Sequence, residues 1–219
     1  MGRRNSARQN GARTAMRERR NGMRQRIAAA AARIMAEEGI DDFALAKRKA
    51  LRRLGALESE ALPGNEEIEA ALREYLALYQ AEEHPERITA LRRIALGAMG
   101  ELERFSPYLT GPVLVGLAGP YAEIDLQLFP ESTKEVELYL LDRNIPYEAT
   151  DERRYTRDRA HAVAVISLEW QGVPLRLSVF DPRDERSALK TSPAGRVAAR
   201  AGVAEVRALV EAGNVARPA

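Results

Sequence analysis

The chain has 219 residues, of which 45% are hydrophobic and 30% are charged, enough apolar material for one medium domain or for a small domain with a helical attachment. It contains no cysteine and only two histidines, which excludes a disulfide framework, a thiolate zinc site, a cysteine nucleophile and a histidine-built metal centre. No apolar run approaches the ~20 residues of a membrane span, and the N-terminus lacks the apolar stretch of a secretory signal. We therefore expect a soluble, cytoplasmic protein without a membrane partner.

Positive charge is concentrated at the start of the chain. Residues 1–26 contain nine arginines and one acid, a net charge of +8. The first 54 residues together carry +10, so the remaining 165 carry −8, although the whole chain is only +2. Such a basic end is typical of an arm that meets phosphate from nucleic acid or nucleotide, or of a solvated tail that binds nothing. Because residues 1–22 have almost no large apolar side chain, we expect them to be disordered.

Four helices are predicted in the first half of the chain. Asp41 or Asp42 is placed to cap the second of them. Apolar residues recur at spacings of three and four in the third and fourth helices, which indicates amphipathic helices. The four predicted helices cover about residues 24–38, 42–54, 66–82 and 85–105. We expect residues 23–84 to form a helical region and residues 85–219 to form a second domain.

The first two of these helices suggest a DNA-binding alternative. A glycine turn joins them, and the second helix carries five basic residues: Lys47, Arg48, Lys49, Arg52 and Arg53. The pair resembles the opening of a TetR-type repressor, in which a basic helix can lie against the DNA backbone. The recognition helix of that family, with its Gly-x-x-Tyr-x-x-Phe-type ending, has no counterpart here, because residues 55–65 run into an acidic stretch.

The second half of the chain changes to the period of β-strands. Residues 122–129 alternate, with Ile124, Leu126 and Leu128 on one face and Glu123, Asp125 and Gln127 on the other. The later predicted elements are a helix over 133–143, a strand beginning at Pro146-Tyr147, a charged loop over 151–159, strands over 162–170 and 173–180 joined by Gln171-Gly172, and a helix over 203–211 that ends at Gly213. This order predicts an α+β fold: N-terminal helices followed by a small mixed or antiparallel sheet flanked by helices.

Residues 109–129 (LTGPVLVGLAGPYAEIDLQLF) carry the main functional motif. Gly111 is followed five positions later by Gly116, and seven positions after that come Glu123 and Asp125. Strand alternation places the two carboxylates on one side of the sheet, ~6–7 Å apart, where they repel each other unless a cation lies between them. Mg²⁺ prefers carboxylate and phosphate oxygens, so the pair predicts a magnesium site. The alternative is a pair of solvent-facing residues on a half-exposed strand.

With these residues in register, the chain resembles the nucleotidyltransferase superfamily that includes DNA polymerase β, over about residues 86–180. There a Gly-Ser turn, a further glycine and an Asp-x-Asp strand follow a helix, in the spacing of Gly111, Gly116, Glu123 and Asp125. The resemblance implies that the turn at Gly111 holds a triphosphate and that the carboxylates bind metal ions. It further implies transfer of a nucleoside monophosphate from a nucleoside triphosphate to an acceptor, which the sequence does not name, with release of pyrophosphate.

Three departures from that family put transfer in question. Pro112 replaces the turn serine and lacks its hydroxyl and backbone N–H. Glu123 replaces the first aspartate of the pair. The position expected for a third carboxylate is occupied by Arg176 or Ser178, leaving Asp181 or Glu169 as substitutes. Two hypotheses remain: an active transferase, or a protein of the same fold that binds nucleotide or a partner without chemistry.

The residues assigned to each role under the first hypothesis are these. Glu123, Asp125 and Asp181 are the candidate catalytic residues, with Mg²⁺ on the first two. The residues that follow the carboxylate strand begin a helix. The backbone amides of its first turn either bind an anion or are only part of the helix cap. The candidate nucleotide-binding residues are Gly111, Pro112, Gly116 and Lys134.

Overall fold

A computed structural model of the protein describes residues 3–40, 42–56, 62–156, 159–187, 189–190 and 199–215. The chain divides into two compact units, Met1–Ala81 and Glu82–Ala219. The sequence-based boundary lay between residues 84 and 85, slightly further along the chain.

The first unit is built from three helices, α1 (Arg3–Glu38), α2 (Phe43–Leu54) and α3 (Asn65–Tyr79), with α1 packed against both of the others. Asp42 caps α2, because its side chain accepts hydrogen bonds from the backbone N–H groups of Ala44 and Leu45. Asp41, the other candidate cap, lies outside the described residues. The buried side chains that form this core are Ile27, Ile34, Met35, Leu51, Ile68, Leu72 and Leu76.

Helix α1 begins far upstream of its predicted start. Residues 3–22, which we expected to be disordered, are helical, so this expectation is corrected. Arginine, alanine, methionine and glutamine all favour the helix, and a helix that is already nucleated extends at little cost per residue. Among the described side chains of α1, burial begins only at Ile27.

The second unit contains four helices and seven strands among its described residues. Two single turns of 3-10 helix, Glu103–Phe105 and Pro182–Asp184, accompany them. In chain order the elements are α4 (Glu83–Glu101), β1 (Tyr108–Thr110), α5 (Gly111–Val115), β2 (Ile124–Leu128), α6 (Thr133–Asp142), β3 (Tyr147–Thr156), β4 (Arg159–Trp170), β5 (Val173–Val179), β6 (Leu189–Lys190), β7 (Arg200–Ala201) and α7 (Val203–Val215). The predicted α+β class is confirmed.

The strands form a mixed sheet in the order β6-β3-β4-β5-β2-β1-β7. Strands β2 and β5 run parallel, and the other described neighbours are antiparallel. The hairpin between β4 and β5 turns at Gln171 and Gly172, with φ values of 50° and 79°, which confirms the predicted two-residue turn.

The two faces of the sheet differ in chemistry. One face carries buried aliphatic residues such as Leu109, Leu126 and Leu177, which pack in one cluster with side chains of α4, α6 and α7. We call the opposite face the polar face. Across four neighbouring strands it carries a row of residues that are paired in register: Arg200, Thr110, Asp125 and Arg176.

The structure corrects the predicted loop over 151–159. Residues up to Thr156 belong to β3 and Arg159 begins β4, which pairs with β3 in continuous register from Tyr147↔Leu168 to Thr156↔Arg159. Charged residues disfavour strands only weakly, and the ladder of backbone hydrogen bonds overrides that preference.

The predicted end of the last helix at Gly213 is also corrected, because α7 continues to Val215. A Cβ atom on Gly213 would lie 2.5 Å from Oγ1 of Thr89 in α4. This glycine therefore allows close helix packing rather than ending the helix.

Candidate functional site

The turn at Gly111 lies directly against the carboxylate of Asp125. Strand β1 pairs with β2 so that Thr110 is opposite Asp125, and Gly111 follows with a φ of 73°, in the left-handed region. A Cβ atom on Gly111 would lie 2.5 Å from Asp125 Oδ2 and 3.3 Å from its Cβ and Cγ atoms. Only glycine fits here without displacing the acid, so the fold brings together two of the residues that the sequence motif singled out.

Pro112 lies in the first turn of α5, a helix of five residues that begins at Gly111. Proline suits the first turn of a helix because the N–H it lacks has no partner there, but it also offers no donor to a ligand. The helix ends at Gly116, whose φ is 72°. The sequence-based turn is thus a short helix between two left-handed glycines.

A half-buried arginine and a buried histidine of α4 contact the chain in and just after α5. Arg92 donates from Nε to the carbonyl of Val113 and from Nη2 to that of Leu114, at 3.1 and 2.7 Å, and burial lowers the pKa of its guanidinium. His84 is buried, and its Nε2 atom has no hydrogen-bond partner among the described residues. Burial, followed by the positive charge of Arg87, lowers the pKa of His84, although a hydrogen bond with the backbone of Ala118 opposes this shift.

Arg176 occupies the strand position beside Asp125. The parallel register of β2 and β5 pairs Asp125 with Arg176 and Gln127 with Ser178. Neighbouring strands are ~4.8 Å apart, so a positive side chain lies beside the acid where the resemblance implies a third carboxylate. The structure thereby decides which of the two residues left open by the sequence, Arg176 or Ser178, is the neighbour of Asp125.

Neither candidate substitute for that carboxylate comes close to Asp125. Asp181 follows the carboxyl end of β5, five residues beyond Arg176 or roughly 16 Å along an extended chain. Its side chain instead accepts a 2.8 Å hydrogen bond from the backbone N–H of Arg183 and caps a turn of 3-10 helix. Glu169 pairs with Pro174 in the hairpin between β4 and β5, on a strand two positions away from β2.

Lys134 lies apart from Asp125 along the sheet, whereas Glu123 is two positions before Asp125 in the chain. Lys134 is exposed in the first turn of α6, which follows the carboxyl end of β2, whereas Asp125 lies near the amino end of that strand. Its backbone N–H donates to the cap residue Ser132, so the helix-cap interpretation describes this position. Glu123 is half-buried and immediately precedes β2.

Glu123 and Asp125 are the predicted carboxylates that could hold Mg²⁺. Among the described residues, no group of three or more His, Cys, Asp or Glu side chains converges on a point. Mg²⁺ is usually held by one or two carboxylates together with phosphate oxygens and water, rather than by a cage of protein ligands. Glu123 and Asp125 would supply those carboxylates, and a bound triphosphate would supply the remaining ligands.

The basic residues of α2 are partly neutralised inside the first unit. Lys49 and Arg53 form ion pairs with Glu38 at 2.5 and 3.3 Å, and Lys47 donates a 2.8 Å hydrogen bond to Asn65 Oδ1. These contacts hold three of the five cationic groups that the DNA-binding alternative would direct towards phosphates. That alternative stays a prediction.

Sequence reasoning missed Arg200 and Thr110. Arg200 is in a two-residue strand 75 positions after Asp125, and no local pattern marks it as part of the site. Gln127 had been assigned to the polar side of the strand, but the structure shows that only 6% of it is exposed.

Comparisons with protein-family models, with curated proteins and with solved structures returned no match. Within the described part of the chain, no helix is both long enough and apolar enough to cross a membrane.

Proposed function

We propose that the second unit binds a nucleoside triphosphate together with Mg²⁺ on the polar face of its sheet, in the manner of a nucleotidyltransferase. The observation that carries this proposal is the contact between the Gly111 turn and the Asp125 carboxylate. In the nucleotidyltransferase motif that the sequence resembles, a glycine turn likewise meets a strand that carries acidic residues. A Mg²⁺ ion held by Asp125 would lie beside this turn, where it could also bind phosphate oxygens.

Of the two hypotheses left open by the sequence, binding without transfer receives more support. Transfer of a nucleoside monophosphate requires the attacking hydroxyl to lose its proton, and in the family a third carboxylate assists that step. Here Arg176 stands in the adjoining strand position, and Asp181 and Glu169 lie elsewhere on the sheet. A guanidinium at this place can neutralise phosphate oxygens but cannot accept a proton, because arginine stays charged at physiological pH.

Binding is tested by calorimetric titration of the four ribonucleoside triphosphates, with Mg²⁺ and with a chelator. We expect binding of wild type that needs Mg²⁺ and is weakened at least ~10–100-fold in Asp125→Asn, since removing even an indirect metal partner has effects of that size. Glu169→Gln is the matched control, because it removes an exposed carboxylate of the same sheet away from Asp125. Absence of binding by wild type, or binding indifferent to Mg²⁺ and to Asp125, would refute the proposal.

Transfer is tested separately with triphosphates labelled in the α-phosphate. The labelled nucleotides are incubated with the protein and with protein, RNA and small-molecule fractions of a cell extract. We expect no label to become covalently attached to any fraction. Attachment that requires Asp125 would establish transfer and identify the class of acceptor.

A further inference from the structure

Arg200 forms no ion pair with the residues that the structure describes. Its Nη2 atom donates to the backbone carbonyl of Glu185, but no described carboxylate lies within 4.0 Å of the guanidinium. Its Nη1 atom is buried and has no hydrogen-bond partner among the residues the structure describes. A charged donor that is withdrawn from water without a hydrogen-bond partner is unfavourable, and a bound anion would supply that partner.

The guanidinium of Arg200 is held in place by aromatic rings. Its Cζ atom lies 4.8 Å from the ring centroid of Tyr108 and 5.7 Å from that of Phe129, which places it in cation–π contact with both. The two rings meet edge to face, and Tyr108 is itself fixed by a 2.9 Å hydrogen bond from its hydroxyl to Glu185 Oε1. Arg200 is therefore oriented before any ligand arrives, which reduces the entropy lost on binding.

Gln127 presents a second unsatisfied group on the same face of the sheet. Its residue is 6% exposed, and its Oε1 atom has no partner in the described part of the chain. Gln127 pairs in register with Tyr108, the residue whose ring packs against Arg200. A buried acceptor left unpaired is unfavourable, so Gln127 favours a ligand that brings a hydrogen-bond donor.

We infer that Arg200 and Gln127 form a phosphate subsite, in which Arg200 holds a phosphate group and Gln127 accepts a hydrogen bond from a hydroxyl of the same ligand. This inference rests on the proposed function, since Arg200 lies two strands from Asp125 in the same row, with Thr110 between them. The phosphate belongs either to the bound nucleotide or to a second, phosphorylated molecule. Both sources share the chemistry that this subsite recognises.

The test uses inorganic pyrophosphate as the probe, titrated into the full chain in the presence of a chelator so that no metal takes part. We expect wild type to bind pyrophosphate and Arg200→Gln to bind it ~10–100-fold more weakly, the effect of losing one hydrogen bond to a charged group. Arg207→Gln, which removes an exposed arginine of α7, is the matched control and should bind as wild type does. Failure of wild type to bind pyrophosphate, or equal weakening in both variants, would overturn the inference.

Gln127→Met keeps the test informative if Arg200→Gln does not fold. Replacing a buried, unsatisfied amide with an apolar side chain of similar size should leave the ligand-free protein as stable as wild type or more stable. If the role of Gln127 were purely structural, the same replacement would lower the stability of the protein. A loss of stability in the ligand-free variant would contradict the role we assign to Gln127.

The source of the phosphate is read from competition. If pyrophosphate displaces ATP in the presence of Mg²⁺, the subsite takes part of the nucleotide; if both bind together, it takes a second molecule. Asp125→Asn separates this inference from the proposed function, because we expect that variant to lose ATP binding and to keep metal-free pyrophosphate binding. If Asp125→Asn lost both ATP binding and pyrophosphate binding, the two ligands would depend on one site, and a separate phosphate subsite would be refuted.

Discussion

Replacing Gly111 with alanine tests the contact on which the proposed site depends. The new methyl group meets two penalties. A non-glycine residue at a φ of 73° costs about 1–2 kcal/mol. The Cβ atom would also lie 2.5 Å from Asp125 Oδ2 and 3.3 Å from Asp125 Cβ, and overpacking of this kind costs about 1–3 kcal/mol. We therefore expect Gly111→Ala to destabilise the second unit by about 2–5 kcal/mol.

Gly172→Ala is the matched control for the backbone penalty. Gly172 has a φ of 79°, but nothing lies within 4 Å of the position its Cβ would take, so only the cost of about 1–2 kcal/mol applies. The assay is urea denaturation followed by the fluorescence of Trp170. It is the single tryptophan of the chain and lies in β4, so it reports on the sheet of the second unit.

A double-mutant cycle assigns the difference between the two glycines to Asp125. In an Asp125→Ala background the Oδ2 and Cγ atoms are gone, and the added methyl group meets only Cβ at 3.3 Å. Gly111→Ala should then cost less by about 0.5–3 kcal/mol, the usual coupling between residues in contact. Equal costs at Gly111 and Gly172, or a cycle with no coupling, would show that the turn does not lie against the acid.

Three further substitutions test the frame around the site by the same fluorescence assay. Gly213→Ala should destabilise the unit because the new Cβ atom would lie 2.5 Å from Thr89 Oγ1. Gly97→Ala, in an open position of α4, should instead stabilise it by up to ~1 kcal/mol. A change of the same sign in both variants would contradict the packing of α7 on α4. Burial lowers the pKa of His84 below its ordinary 6.5, so the unfolded chain binds a proton more readily than the folded one. The stability that His84 contributes should therefore be fully present above about pH 6.5 and should decrease as the pH falls from 6.5 towards the lower pKa of His84 in the folded protein. The decrease should be smaller in His84→Gln. Identical pH profiles of wild type and the variant would refute this explanation.

The amino-acid pattern predicted most of the regular elements of this protein. Alternation in residues 122–129 indicated β2, the Gln171-Gly172 signal indicated the β4–β5 hairpin, and periodic apolar residues indicated α3 and α4. These signals are local, because each depends on side chains a few positions apart along one element. Strands β6 and β7 have two residues each and are defined by their partners, so no local period announces them.

The charged segment at residues 151–156 shows why local signals can mislead. Its composition is typical of a loop, yet it forms the second half of β3, because each of its residues pairs in register with a residue of β4. Helix α7 gives the opposite case, in which Gly213 suggested an end but serves close packing against Thr89. In both cases the deciding contact comes from an element distant in the chain.

The same division holds for the candidate site. The order of Gly111, Gly116, Glu123 and Asp125 is a property of the sequence, and strand alternation alone places Asp125 opposite to Ile124 and Leu126. Strand register decides the neighbours of Asp125. It brings Gly111 into contact with Asp125, places Arg176 beside it and Arg200 in the same row, and leaves Asp181 away from it. Register is set by pairing between segments far apart in the chain, and a shift of one residue would turn each of these side chains to the other face.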